Sequence, residues 1–165
     1  MKTYNLRLST TAVFLALIFA IGSGCAQKKA KTEDEATNAA VESTDLGTSD
    51  MGNAMGMESI QFEYDSNLLS QKAMSILKKD AAILKRHLNV SIQVEGHCDA
   101  RGGIQYNLAL GQRRADTVQH FLADQGISDS RLATISYGSE KPLVSGDTEE
   151  AYVKNRRANL AITKK

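Results

Sequence analysis

Alternating apolar and polar residues predict four short β-strands in the part of the chain that follows residue 58. Their apolar members are Ile60, Phe62 and Tyr64; Val90, Ile92 and Val94; Ala133, Ile135 and Tyr137; and Ala158, Leu160 and Ile162. A period of two places these side chains on one face of each strand, as in a sheet that covers a core on one side. We therefore expect a small four-stranded sheet.

Apolar residues at helical spacing predict two amphipathic helices between these strands. The first contains Ala73, Ile76, Leu77, Ala81, Leu84 and Leu88, and the second contains Ile104, Leu108, Ala115, Val118 and Leu122. Ser70 stands at the expected N-cap of the first helix, and Gly126 at the expected C-terminal cap of the second. A loop with the only proline, Pro142, and a short helix over residues 149–156 precede the last strand. This order predicts an α+β fold with helices packed on one face of a mixed sheet.

The N-terminus has the pattern of an export signal. Lys2 and Arg7 precede an apolar run over residues 12–21, which is followed by the small residues of positions 22–24. This order is typical of a secretory signal peptide over residues 1–24. The run is shorter than the ~20 residues of a membrane-spanning helix, so a permanent transmembrane anchor is the weaker alternative.

Residues 25–57 form a second compositional segment, which has no aromatic residue and few branched aliphatic residues. Such a segment cannot bury enough apolar surface to offset the entropy lost on ordering. We expect a flexible tether here and a folded domain over residues 58–165. In the alternative interpretation, Met51, Met55 and Met57 mark a short helix that packs on the domain.

The overall composition restricts the function classes. The 165 residues include 20 Lys and Arg against 19 Asp and Glu, which argues against a nucleic-acid-binding protein. The only cysteines, Cys25 and Cys98, lie in segments of different character, which argues against a disulfide framework.

The densest polar cluster spans residues 95–103, between the second strand and the second helix. Alternation along a strand would place His97 and Asp99 on one face and Cys98 on the other. On a helical wheel, Arg114 falls inside the apolar stripe of the second helix, whereas Arg113 falls on the polar side. A partly buried guanidinium needs an anionic partner, because an unpaired buried charge costs several kcal/mol.

Two interpretations of Asp99 and Arg114 are open. They could pair with each other and close the domain as a structural salt bridge. Alternatively, the carboxylate could accept hydrogen bonds from a ligand ammonium while the guanidinium holds a ligand carboxylate in a bidentate fork. Spacing alone does not identify such a zwitterion.

Enzyme and metal hypotheses for the same cluster are weaker. Adjacent strand residues such as His97, Cys98 and Asp99 diverge, so they cannot form a nucleophile, base and orienting group. A metal site would lack a fourth ligand at a suitable spacing. We therefore predict a binding protein without catalytic residues, metal or cofactor, in which Cys98 is a free buried thiol.

Several motifs, in the same order and spacing, resemble the outer-membrane protein A-like domain family. They are residues 94–102 (VEGHCDARG), 106–107 (YN), 110–115 (LGQRRA), 136–138 (SYG), 140–142 (EKP) and 155–158 (NRRA). The resemblance covers about residues 60–162 and implies binding of the meso-diaminopimelate of uncrosslinked peptidoglycan stem peptides. It assigns the key acid and arginine to Asp99 and Arg114, and further wall-facing roles to Tyr64 and Asp65. The chain departs from the family at Cys98, where Ala or Thr is common, and at residues 100–101.

Residues 21–25 (IGSGC) resemble the lipobox of bacterial lipoproteins, which implies that Cys25 is the lipidated first residue of the mature protein. Gly22 stands where a lipobox usually has Leu, and ordinary cleavage that leaves Cys25 unused is the alternative. Ala26 after the cysteine implies export to the outer membrane.

Together the resemblances imply an outer-membrane lipoprotein that tethers this membrane to peptidoglycan from the periplasmic side. The lipoprotein branch of the family works with the Tol complex and its periplasmic β-propeller protein at cell division, so these partners are implied by resemblance. The alternative function is an envelope scaffold lipoprotein in which Asp99 and Arg114 form an internal salt bridge.

Overall fold

The computed structural model describes residues 47–51 and 54–165, so the predicted signal peptide, Cys25 and most of the predicted tether lie outside the described residues. In chain order the elements are a 3₁₀ turn (Ser49–Met51), β1 (Ile60–Gln61), α1 (Gln71–Arg86), β2 (Ser91–His97), α2 (Ile104–Asp124), a 3₁₀ turn (Asp129–Arg131), β3 (Leu132–Gly138), α3 (Glu149–Asn155) and β4 (Arg157–Lys164). Although α2 has 21 residues, no described helix is apolar enough to cross a bilayer.

The four strands form one mixed sheet in the order β1-β4-β2-β3. β4 runs antiparallel to both of its neighbours, and β2 runs parallel to β3. A parallel pair needs a crossover connection, which α2 provides. The predicted α+β class with four strands is confirmed.

The helix ends follow the predicted capping residues. Ser70 Oγ accepts a hydrogen bond from Ala73 N at 3.1 Å and begins α1. α2 ends where Gly126 takes a φ of 87°, a conformation that glycine adopts without a steric penalty. Ile127 N then donates to Leu122 O at 3.1 Å, which completes a Schellman cap.

Four details of the periodic pattern were predicted wrongly. On β3 the side chains of Thr134 and Ser136 face α2, so Ala133, Ile135 and Tyr137 lie on the opposite face of the sheet from the one predicted. Ile104, predicted on the apolar face of the second helix, is 59% exposed at its first turn.

Leu88 is 74% exposed because α1 ends at Arg86, before the apolar pattern does. β1 consists of Ile60–Gln61 only, and Tyr64 lies in the loop that follows it, 60% exposed.

A close approach of two backbones positions α2 on the sheet. A Cβ atom on Gly96, in β2, would lie 1.9 Å from Gly111 O, and a Cβ atom on Gly111 would lie 2.9 Å from Gly96 O. Real side chains do not tolerate such distances, so only glycine fits at either position. This contact fixes the middle of α2 next to the end of β2.

The folded domain begins before residue 58. Ile162 N donates to Gly47 O at 3.1 Å, and Leu160 N donates to Ser49 Oγ at 2.9 Å, so residues 47–49 pack along β4. Ala54 and Met57 are buried in the core. The packed region therefore extends upstream of the predicted boundary at residue 58. It agrees better with the alternative interpretation, since Met57 is buried and Met55 packs against the core.

Asp80 is an acidic residue on the buried face of α1, 1% exposed. Its Oδ1 accepts from Glu58 N at 3.4 Å, and its Oδ2 has no hydrogen-bond partner in the described part of the chain. Burial raises the pKa of this carboxyl to about 7; the Glu58 carboxylate adds to the shift and the Glu58 N–H opposes it. The folded protein therefore keeps a proton that the unfolded chain releases near pH 4.

We predict that Asp80→Asn stabilises the protein at pH 8. In the wild type, unfolding releases the Asp80 proton between the unfolded pKa of 3.8 and the folded pKa of about 7, so its contribution to stability decreases as the pH rises through this window. The neutral amide cannot ionise, so the variant avoids this decrease in the free energy of unfolding, which corresponds to at most about 4 kcal/mol. Urea unfolding of both proteins at pH 5 and pH 8 measures it, with Asp124→Asn on the exposed end of α2 as a control. A stability difference that is equal at both pH values would show that Asp80 does not titrate in this range.

Candidate functional site

A cleft of about 210 Å³ lies at the end of the sheet where β2 stops and α2 begins. The four predicted binding residues, Tyr64, Asp65, Asp99 and Arg114, all line it. They come from the loop after β1, the loop after β2 and the middle of α2. The fold thus brings three separate segments of the chain together around one small opening.

Asp99 is an ionised carboxylate on the wall of the cleft and is only 4% exposed. Its Oδ1 accepts from Arg101 N at 3.1 Å, and its Oδ2 accepts from Arg101 Nη2 at 2.6 Å and from Arg156 Nη1 at 3.3 Å. Burial on its own would raise the pKa of this carboxyl, but the hydrogen bonds from Arg101 and Arg156 lower it below its ordinary value. Asp99 is therefore negatively charged at neutral pH.

Arg114 is a buried cation, 1% exposed, that joins separate parts of the backbone. Its guanidinium donates to Glu63 O at 3.0 Å, to Ser66 O at 2.8 Å and to His97 O at 2.8 Å. Burial lowers the pKa of Arg114, but the ordinary value for arginine is so high that the group stays charged. Arg114 thereby clamps the loop after β1 to the end of β2.

No ion pair joins Asp99 to Arg114 in the described ranges; Asp99 pairs with Arg101 and Arg156 instead. The alternative in which Asp99 and Arg114 form an internal salt bridge is therefore wrong. Arg114 also lacks the free donors for the expected bidentate fork, since three of its five N–H groups donate to backbone carbonyls. A further N–H, on Nη1, lies 3.5 Å from Cys98 Sγ, which leaves one N–H on Nη2 for a ligand.

The rim of the cleft carries exposed aromatic residues. The Tyr64 ring lies 4.2 Å from the guanidinium carbon of Arg101, and the Tyr152 ring lies 4.4 Å from the same atom. The Tyr106 hydroxyl donates a hydrogen bond to the Asp65 carboxylate. Asp65 has a φ of 51°, a left-handed conformation that Asp tolerates better than most residues.

Sequence reasoning missed the role of Arg101 and Arg156 as partners of Asp99. Both lie in motifs that resemble the family, but neighbouring arginines in one motif cannot be told apart by spacing. The structure directs Arg156 to the cleft and pairs Arg157 with Asp50 at 2.7 Å. Only the direction of the chain entering β4 decides between the two.

The predicted faces of His97 and Cys98 were also wrong. β2 ends at His97, with a shift of register after Gly96, so strand alternation does not continue to Asp99. Cys98 and Asp99 both line the cleft, whereas the His97 ring lies 5.5 Å from the ring of Tyr137.

The Cys98 thiol lacks the surroundings of a nucleophile. Its Sγ donates to Asn107 O at 3.3 Å, and no hydrogen bond links it to His97 among the residues described. Burial raises the pKa of the Cys98 thiol, so the unreactive protonated form dominates at neutral pH. The geometry therefore supports binding of a charged group rather than thiol chemistry.

Comparison with known proteins places this architecture among related chains. Residues 61–156 match the model of the OmpA family. The chain is 36% identical over 156 residues to the peptidoglycan-associated lipoprotein of Pseudomonas aeruginosa, which covers 88% of this chain and 92% of that protein. It is 38% identical over 159 residues to the protein of the same name from Mesorhizobium japonicum, with 94% of each chain covered.

Solved structures with a similar fold also include a peptidoglycan-associated lipoprotein and an OmpA-like domain. The peptidoglycan-associated lipoprotein from Burkholderia pseudomallei has a TM-score of 0.63 and 36% identity, and the match covers 67% of this chain and 95% of that one. The OmpA-like domain of FopA1 from Francisella tularensis has a TM-score of 0.55, covers 65% of this chain and 73% of that one, and at 19% identity shares the fold alone.

We predict that Arg114→Ala destabilises the domain by about 3 kcal/mol, because one buried and two partly buried carbonyl groups lose their donor. Arg113→Ala is the matched control, since Arg113 is the adjacent arginine on α2 and is exposed. Its expected effect is within about 0.5 kcal/mol. Chemical denaturation measures both variants. Equal stability of the two would contradict the clamp assigned to Arg114.

Proposed function

Because the chain belongs to the OmpA family, among its peptidoglycan-associated lipoproteins, we propose that it binds peptidoglycan non-covalently and tethers the outer membrane to the cell wall. One structural observation supports this most: a small cleft holds an ionised carboxylate and a buried guanidinium that are not paired with each other. Such a cleft presents opposite charges to one small ligand.

The ligand class follows from these two charges. The free end of meso-diaminopimelate in an uncrosslinked stem peptide carries an ammonium and a carboxylate on one carbon. The ammonium would lie on Asp99, and the carboxylate would accept from the remaining N–H of Arg114 in a charge-assisted hydrogen bond. Tyr64 and Asp65 would contact the rest of the stem peptide at the rim. A cleft of about 210 Å³ suits a single amino-acid end.

The proposed role is that of a binding protein and not of an enzyme. Binding by two fixed charges requires no metal and no cofactor, and Asp99 has no activated nucleophile beside it. The scaffold alternative has lost its premise, since Asp99 and Arg114 do not pair.

A lipid anchor on Cys25 would complete the tether. We propose that residues 1–24 are removed, that Cys25 carries the acyl chains, and that the next residues connect it to the domain, which begins by residue 47. Two or more acyl chains give stable attachment, because each buried methylene contributes about 0.8 kcal/mol. The domain would then face the periplasm, within reach of the wall.

Tol proteins, including the periplasmic β-propeller protein, are proposed partners at cell division. Membership of the family supports this partnership. Peptidoglycan binding does not depend on it.

For Asp99→Asn we expect at least tenfold weaker retention on purified sacculi, since the amide can no longer pair with an ammonium. Arg156 keeps a second partner in Glu149, at 3.0 Å, so the fold should persist. Sacculus pull-down with the full-length protein measures the loss, and the melting temperature verifies folding. Asp124→Asn makes the same chemical change away from the cleft and should bind normally. Wild-type retention of Asp99→Asn would refute the proposed site.

For Cys25→Ser we expect loss of fatty-acid incorporation and release of the protein from the membrane fraction, because the hydroxyl replaces the thiol that would be acylated. Metabolic labelling with a radioactive fatty acid and cell fractionation measure these effects. Cys98→Ser serves as the control, since Cys98 is buried and should leave labelling unchanged. Undiminished labelling of Cys25→Ser would exclude this residue as the anchor.

A further inference from the structure

In the unliganded protein the Asp99 carboxylate is already paired with cationic side chains of the protein itself. Arg101 Nη2 lies 2.6 Å and Arg101 Nε lies 3.2 Å from Asp99 Oδ2, which makes Arg101 its closest charged partner. Arg156 shares the same oxygen at 3.3 Å. The two arginines differ in exposure, because the side chain of Arg101 is 34% exposed and that of Arg156 is 6% exposed. A ligand ammonium can displace Arg101 far more readily than Arg156.

The surroundings of Arg101 stabilise it after such a displacement. Its guanidinium lies between the rings of Tyr64 and Tyr152, at 4.2 Å and 4.4 Å, and aromatic faces attract a cation. Glu149 Oε2 lies 3.3 Å from Arg101 Nη1 and offers a second carboxylate outside Asp99. Arg101 therefore bridges both carboxylates, and after a small rotation away from Asp99 it would keep its pair with Glu149 and its stacking.

We infer that Arg101 occupies the position of the ligand ammonium in the unliganded protein and selects for ligands that pair an ammonium with a carboxylate. Binding is then an exchange, in which the ligand ammonium replaces Arg101 on Asp99 and Arg101 keeps Glu149 as its carboxylate partner. This inference rests on the proposed function and assigns a specificity-determining residue to it.

The selectivity arises because the displaced guanidinium stays in the cleft. A bare ammonium, such as a lysine side chain, gains Asp99 but enters beside a cation that repels it. A zwitterionic end carries a carboxylate that attracts Arg101 and also reaches Arg114. Like charges held close together are unfavourable in a partly buried site, so the first ligand is rejected more strongly than the second.

Two stem tripeptides separate these effects: L-alanyl-γ-D-glutamyl-meso-diaminopimelate and the same peptide with L-lysine in the third position. Calorimetric titration with the full-length lipidated protein in detergent micelles measures both affinities. Three variants are compared: Arg101→Gln removes the charge, Arg101→Lys keeps it, and Arg113→Gln removes an exposed neighbouring charge as the matched control.

For Arg101→Gln we expect the lysine peptide to bind about tenfold more tightly. The variant frees Asp99 from its competing arginine and also removes the cation that repels the lysine ammonium, so both changes strengthen binding. The affinity for the diaminopimelate peptide should change by less than about threefold. The variant frees Asp99 for the ligand ammonium, but it also loses the attraction between Arg101 and the ligand carboxylate. Discrimination between the peptides should therefore shrink, while Arg101→Lys and Arg113→Gln keep it near the wild-type ratio. Melting temperatures verify that each variant is folded.

Contrary results separate this inference from the proposed function. If Arg101→Gln weakens both peptides, or leaves both unchanged, Arg101 does not compete with the ligand and the inference is overturned, while binding by the wild type still supports the proposed function. If the wild type binds neither peptide but is retained on sacculi, the inference alone is overturned. If it is also not retained on sacculi, both are overturned.

Discussion

The buried guanidinium of Arg114 is the interaction on which the site depends. It supplies donors to carbonyl groups of the loop after β1 and to the end of β2, at distances of 2.8 to 3.0 Å. These groups lie 48, 51 and 17 residues away along the chain, so one side chain holds together segments that no local interaction would join. Because its N–H groups hold the backbone segments around the cleft, Arg114 positions the cleft and also contributes its positive charge to it.

Separation of charge is the second constraint. An acid and a base in a small cleft would normally neutralise each other, but here each has partners of its own: Arg114 has carbonyl groups, and Asp99 has Arg101 and Arg156. The cleft therefore keeps two opposite charges that do not pair with each other. Arg101, the more exposed partner, is the one that we propose a ligand displaces, whereas the buried Arg156 would keep the Asp99 carboxylate in place.

Close backbone packing explains why these side chains meet at one point. The contact between Gly96 and Gly111 brings the middle of α2 onto the end of β2. Arg114 follows Gly111 by one helical turn, and Asp99 follows Gly96 just beyond the strand. Any side chain at either glycine would push α2 away and would separate the two charged groups. Fold and site thus rest on the same contact.

The sequence by itself determined the elements, the caps at Ser70 and Gly126 and the placement of Arg114 in an apolar stripe, because these depend on local periodicity. Its motifs also indicated Tyr64, Asp65, Asp99 and Arg114, which are four of the residues that line the cleft. Tertiary structure alone decided that Asp99 pairs with Arg101 and Arg156, that residues 47–57 pack on the domain, and that Cys98 shares the cleft. The reason is physical: a charged group takes whichever partners the fold brings within about 3 Å, and Arg156, 57 residues from Asp99, is brought there only by the assembled sheet.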